Sequence, residues 1–327
     1  GALPLGKLGS GTLIGSVAIT LLTLSSTAQA VIPEGTVSNG AITAIGSGAI
    51  ADSPDTVAIG INAHAGNGSV LGVTSSYAIG TNANSSGQQT FAMGTTANAT
   101  GFATMALGDS AQTSGFGSSA FGVVARALAN QSLALGAFSN ASREGAIAIG
   151  NQSNASARDT LAIGNASSST GVSALAIGNA SNATGGESIA IGYATTASNS
   201  SSIALGTSAN ASGLFSIAQG VGATASRDKS LAIGYQANVS ANQSLAIGAW
   251  SNAAGDYSVA LGLSTKSAGQ GGVAIGNSAN ASGRYSMALG VATTASDLYS
   301  IAHGGLSAAT NTGAIAIGYE ANSSGLF

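Results

Sequence analysis

The sequence predicts an all-β fold, a parallel β-roll (β-solenoid) of 14-residue coils, and three observations carry that expectation. A short apolar motif ending in glycine recurs every 14 residues without a slip, its glycines running Gly80, Gly94, Gly108 and onward to Gly318. With that glycine counted as position 0, position 12 is alanine in all eighteen motifs from Ala78 to Ala316. The chain is also rich in glycine, 49 of 327 residues, while only 6% of it is charged and it holds 3 prolines. Repetition at a fixed short period marks an array of identical supersecondary units.

Fourteen residues are too few for a two-helix repeat, which needs about 33 or more, and they suit two short strands and two turns. The copy Ser202-Ile203-Ala204-Leu205-Gly206-Thr207-Ser208-Ala209-Asn210-Ala211-Ser212-Gly213 shows the pattern. Positions 11–13 form one strand and positions 3–5 the other. Alternation puts positions 11 and 13 on one face and the alanine of position 12 on the opposite face. The coil is expected to close with the large residues at 11 and 13 meeting the small ones at 3 and 5. Glycine at positions 0 and 7 marks the two corners, where it tolerates unusual dihedrals. In-register parallel stacking gives a rise of about 4.7–4.9 Å per coil.

Composition excludes several classes. Glycine without a G-X-Y period, and with almost no proline, is not collagen. A chain that is 44% apolar and nearly uncharged lacks the signature of disorder. A net charge of −3 offers no electrostatic case for binding nucleic acid. The absence of cysteine removes disulfides and thiolate metal sites. No carboxylate pair is singled out by spacing and no nucleophile has a base beside it, so the chain reads as non-catalytic and without a cofactor.

Three segments follow. Residues 1–30 carry Lys7, an apolar run from Leu13 to Leu24 and the small-residue ending Ala28-Gln29-Ala30, the layout of a secretory signal. The alternative is an apolar arm that packs on a neighbouring subunit, with Leu13, Ile14, Val17, Ile19, Leu21 and Leu22 as bridging residues. Both readings place the protein outside the cytoplasm. Residues 31–80 hold N-terminal coils: Gly46 and Gly60 are 14 apart, and the gap of 20 to Gly80 leaves six extra residues near His64–Ser75. Residues 81–327 are the regular repeats.

A strand such as Ile-Ala-Ile is apolar on both faces, as strands buried on both sides are. A stripe of this kind along the whole rod exceeds the few hundred Å² that monomers expose, so lateral self-association is expected. The alanine row, represented by Ala148, Ala190, Ala232 and Ala274, is expected to face the neighbouring subunits. Gln219 and His303 stand at position 13 where other copies have Ile or Leu; they read either as polar rings in an oligomer or as polar residues bonded locally or facing solvent. From Gly80 onward, eleven of fifteen charged residues fall at positions 7–9. Aromatic residues gather there too, so Phe102, Phe116, Arg143, Phe215, Arg227, Tyr257, Arg284, Tyr285 and Tyr299 form a candidate exposed contact corner, with a merely solvated turn as the plainer reading. Asparagine recurs at position 4, from Asn84 to Asn322. A stacked side-chain amide ladder would account for it, and several of these residues also sit in Asn-x-Ser/Thr sequons.

The repeat Ser-[Ile/Leu]-Ala-[Ile/Leu]-Gly followed by Ala-x-Ala-x-Gly resembles the head repeats of trimeric autotransporter adhesins, the YadA-like head family, over about Gly46 to Gly318. The resemblance implies a left-handed β-roll, a homotrimer and display on a bacterial surface. Members of that family usually continue into a coiled-coil stalk and a membrane β-barrel. The repeats here run almost to Phe327 without a heptad segment or barrel strands. The chain is therefore either a fragment of such a protein or one not anchored in that manner, and the expectation is an extracellular structural protein whose β-rolls assemble end to end into a surface fibre or filament. The alternative is an adhesin head that binds host or extracellular-matrix ligands.

Overall fold

Each 14-residue coil folds as two half-coils of seven residues, each a four-residue turn followed by a short strand. A computed structural model, which describes residues 35–37, 43–67 and 75–324, displays the unit plainly in the coil that starts at Gly206. The Ala209 N–H donates to the Gly206 carbonyl across the first turn at 3.2 Å, and the Ser216 N–H donates to the Gly213 carbonyl across the second at 3.2 Å. The third residue of each turn, Ser208 and then Phe215, has φ 56°, in the region a type II turn requires there. The strands that follow are Asn210–Ala211 and Ile217–Gln219.

A left-handed φ costs an ordinary L-residue about 1–2 kcal/mol, and the stack holds it in place. The Ser208 N–H donates to the Tyr193 carbonyl one coil back at 2.8 Å, and the Phe215 N–H to the Ser200 carbonyl at 3.1 Å. The expectation that corner glycines supply the unusual dihedrals holds at position 0 only. Gly206 has φ 122°, and a Cβ there would lie 2.7 Å from the Gly220 carbonyl oxygen of the next coil. Gly213, at position 7, is not in that region; a Cβ on it would fall 1.9 Å from the Arg227 carbonyl oxygen, so space is its constraint.

Coils stack with a one-coil offset, Ile203 opposite Ile217, Ala204 opposite Ala218 and Asn210 opposite Thr224, all in parallel. Among the described residues, twenty three-residue strands form one sheet and twenty-one two-residue strands form the other. At about 4.8 Å per rung the first sheet runs for roughly 90 Å. The array begins before the motif becomes regular, since Thr36–Val37 already pairs with Ile50–Ala51. The extra residues ahead of Gly80 leave it undisturbed: Ile59 pairs with Ile79 and His64 with Asn84. The six residues beyond the 14-residue period therefore lie in sequence between Ala65 and Tyr77. Leu13, Ile14, Val17, Ile19, Leu21 and Leu22 lie outside the described residues.

The interior is lined the other way round from the sequence expectation. Ala148, Ala190, Ala232 and Ala274 are fully buried inside their own coil, so they cannot face a neighbouring subunit. The large residues at positions 11 and 13 point outward instead. Sheets faced with large side chains stack about 10 Å apart, and four-residue turns joining two- and three-residue strands leave no such room. What fits between the sheets is alanine at position 12 and, for the most part, alanine or a hydroxyl residue at positions 3, 5 and 10; the largest fully buried side chain is Val239. Most buried hydroxyls bond a carbonyl of their own turn, whereas those of Ser76, Ser244 and Thr265 reach a carbonyl of the next coil and those of Thr113, Ser258, Ser267 and Ser286 have no partner among the described residues. Ser216 Oγ donates to the Gly213 carbonyl at 2.7 Å, and Ser139 Oγ to the Gly136 carbonyl at 2.8 Å. Serine is common at position 10 because it closes the turn a second time through its side chain, which meets the demand that buried polar groups be bonded.

Candidate functional site

With the interior filled by small residues, everything larger is displayed. The outward face of the three-residue sheet carries positions 11 and 13, for example Ile147 and Ile149, Leu175 and Ile177, Ile203 and Leu205. Over the twenty rungs from Thr43 to Ile317 it contains no charged carboxylate, lysine or arginine, and its polar interruptions are few. Its residues are half-buried or exposed in the single chain. A strip roughly 90 Å long and three residues, about 10 Å, wide offers on the order of 900 Å². That is about what each partner contributes to a standard protein interface, roughly 800 Å².

The outward face of the two-residue sheet is polar. Position 4 carries asparagine, threonine or serine in most coils, and position 6 serine or threonine. The amide ladder forms at each of the three places from Asn84 onward where two asparagines follow one another at position 4: Asn84 Nδ2 donates to Asn98 Oδ1 at 2.8 Å, Asn140 to Asn154 at 2.9 Å and Asn238 to Asn252 at 3.2 Å. Elsewhere Thr196, Thr224, Arg126 or Lys266 interrupts it, so the expected continuous ladder is segmental.

The two turns differ as well. The second turn, positions 7–9, carries the charged residues and the corner expected from sequence; Phe102, Phe116, Arg143, Phe215, Arg227, Tyr257, Arg284, Tyr285 and Tyr299 are all exposed. The structure brings some of them together. The Phe102 and Phe116 rings stack at 5.3 Å and 1°, and those of Tyr285 and Tyr299 at 5.6 Å and 12°, with the Arg284 guanidinium 5.0 Å above the Tyr285 ring. Arg143 and Arg227 join no ion pair among the described residues; the two pairs there are Arg158–Asp159, on this turn, and His64–Asp52 at 3.1 Å. The first turn, positions 0–2, was missed by sequence reasoning. It holds Tyr193, Tyr235, Trp250, Val291 and Leu306, all well exposed, and its signal was the recurrence of large apolar residues just after the motif glycine.

Gln219 and His303 both sit exposed in the position-13 column, between Leu205 and Ile233 and between Leu289 and Ile317. Among the described residues no three His, Asp or Glu side chains stand close enough to hold a metal ion.

These features define a class: a parallel β-solenoid that hides its small residues and turns one long aliphatic face outward. The YadA head domain repeat matches residues 43–63 and then, in largely overlapping segments, residues 74–327. The main break, at 64–73, falls on the extra residues between Ala65 and Tyr77. The chain belongs to the YadA head domain repeat family. A comparison with curated proteins finds no match. Membership implies a trimeric autotransporter adhesin-like surface protein, and the repeat and fold are characteristic of non-enzymatic adhesins.

Proposed function

We propose that this chain is the head of a homotrimeric, non-catalytic surface adhesin, in which copies pack side by side through their aliphatic faces and present the second turn to host or matrix ligands. The observation that carries the reading is the aliphatic face itself, twenty rungs of outward residues that are mostly Ile, Leu, Val and Met and include no carboxylate, lysine or arginine. An exposed stripe of that size is what an unassembled solenoid cannot keep in water. Rotational symmetry is the simplest way for identical chains to cover it. The stacked Phe102–Phe116 and Tyr285–Tyr299 pairs supply exposed aromatic anchors of the kind enriched in contact surfaces.

Sedimentation equilibrium of the full chain tests the assembly, with a trimer mass expected and a monomer at all concentrations sinking it. Retention on matrix-coated surfaces tests adhesion, with loss expected in a Phe116→Ala/Tyr299→Ala variant. The filament reading leans on residues 1–30, outside the described residues. Electron microscopy of the same sample separates the two, since an adhesin head stays discrete and a filament subunit forms fibres.

A further inference from the structure

The two turns are not equivalent, and the difference orients the coil within an assembly. From the coil at Gly46 onward, positions 7–9 carry twelve charged residues, Asp55 and the eleven from Arg143 to Asp297, whereas positions 0–2 carry only Asp109 and Glu320. The aliphatic face is itself lopsided. Its position-13 column, next to the first turn, holds Ile59, Met93, Leu135, Ile191, Ile247, Ile275 and Ile317 among the exposed large hydrophobics, while the position-11 column, next to the second turn, holds only Tyr77, Met105, Met287 and Ile315. The apolar surface therefore runs over the first turn nearly uncharged, whereas at the second turn its exposed residues, Phe102, Phe116, Phe215 and Tyr257 among them, are interspersed with charges.

The centre of that edge is built for contact. The rings of Tyr235 and Trp250 meet edge to face at 5.2 Å and are 46% and 53% exposed. Trp250 Nε1–H donates to Gln236 Oε1 at 2.9 Å. The indole's one polar atom is thus satisfied within its own chain, which leaves the ring free to be buried without an unpaired donor. Ile247, 37% exposed, continues the patch onto the sheet face.

We infer that the first turn, with Tyr235 and Trp250 at its centre, docks against a second copy of this chain, while the charged second turn faces solvent. The inference rests on the side-by-side assembly proposed above and adds to it which edge goes inward and which side chains anchor it. The occupant is another copy because this edge is continuous with the aliphatic face that copies cover, and because it is nearly uncharged along its length. A partner drawn by charge would meet the opposite turn.

Trp250 is the only tryptophan in the chain, so its emission reports this edge alone. The test is a dilution series of the full chain followed in parallel by sedimentation velocity, Trp250 emission and acrylamide quenching. The expected result is a blue-shifted, shielded Trp250 in the assembled species that becomes quenchable as the assembly dissociates. A Tyr235→Ala/Trp250→Ala variant should weaken association at least about tenfold, as truncating anchor residues does. A Phe102→Ala/Phe116→Ala variant should associate unchanged. An assembled species whose Trp250 is as quenchable as free tryptophan overturns the docking edge and leaves the assembly standing, as does a Tyr235→Ala/Trp250→Ala variant that assembles like the parent. A chain that is monomeric throughout overturns both.

Discussion

The two sheets of a coil share one heptad plan and end with opposite chemistry. In both, a four-residue turn with a left-handed third residue leads into a strand whose inward side chains are alanine or serine. Outward, one sheet displays Ile203 and Leu205 and the other displays Asn210 and Ser212. The inward residues answer to a common demand, the narrow gap between sheets, and so repeat almost without variation. The outward residues are free of that demand, and they diverge into an aliphatic face on one sheet and a polar face on the other.

Seven variants in four sets would break or sharpen that contrast. Placing carboxylates on the aliphatic face, Ile189→Asp/Ile203→Asp, should have the largest effect, since burying unpaired charge costs several kcal/mol. The expected outcome is a rise of more than about a hundredfold in the dissociation constant, equivalent to about 3 kcal/mol, with an unchanged β-type circular dichroism spectrum; sedimentation reads the first and spectroscopy the second. The same carboxylates on the other sheet, Asn182→Asp/Asn210→Asp, should leave association nearly as it was.

Interior enlargement comes next. Ala204→Leu should destabilise the fold by about 3 kcal/mol, the upper range for overpacking, whereas its outward neighbour Ile203→Leu should cost under about 1 kcal/mol. Urea unfolding at fixed protein concentration distinguishes them, and an Ala204→Leu variant as stable as the parent would mean that position 12 faces outward. Gly206→Ala follows, at about 2 kcal/mol, because the site combines a positive φ with contact against the next coil's carbonyl. The smallest effect is on the amide ladder. Asn140→Ala, which removes the bond to Asn154, should cost about 1 kcal/mol, and Asn182→Ala, which has no asparagine neighbour, should cost less.

Much of this was legible beforehand. The 14-residue period fixes the coil and the in-phase glycines fix the register, as the parallel one-coil offset bears out. The eighteen-fold alanine row announced a position of extreme constraint. Its direction was read wrongly because alanine suits both a close subunit contact and a narrow interior, and alternation says only that position 12 opposes positions 11 and 13. The recurring serine at position 10 and the hydroxyl or alanine at position 3, seven residues apart, were the available clue, since they mark the two turn closures and with them the small-residue lining. The spacing puts six extra residues near His64–Ser75, and the pairings of Ala65 with Ser85 and of Val57 with Tyr77 bracket them in sequence. The corner aromatics were located correctly at positions 8 and 9, but their stacking depends on ring orientation, which spacing does not give. Tyr235, Gln236 and Trp250 escaped notice because they follow no strict period.

By itself, then, the sequence determined the length of the coil, the parallel stacking and the identity of every residue that must be small or must be glycine, because those follow from periodicity and steric limits that act along the chain. Only the tertiary structure decided which side of each strand is interior. That choice depends on the distance between the two sheets, a quantity the turns set in space and no periodicity encodes.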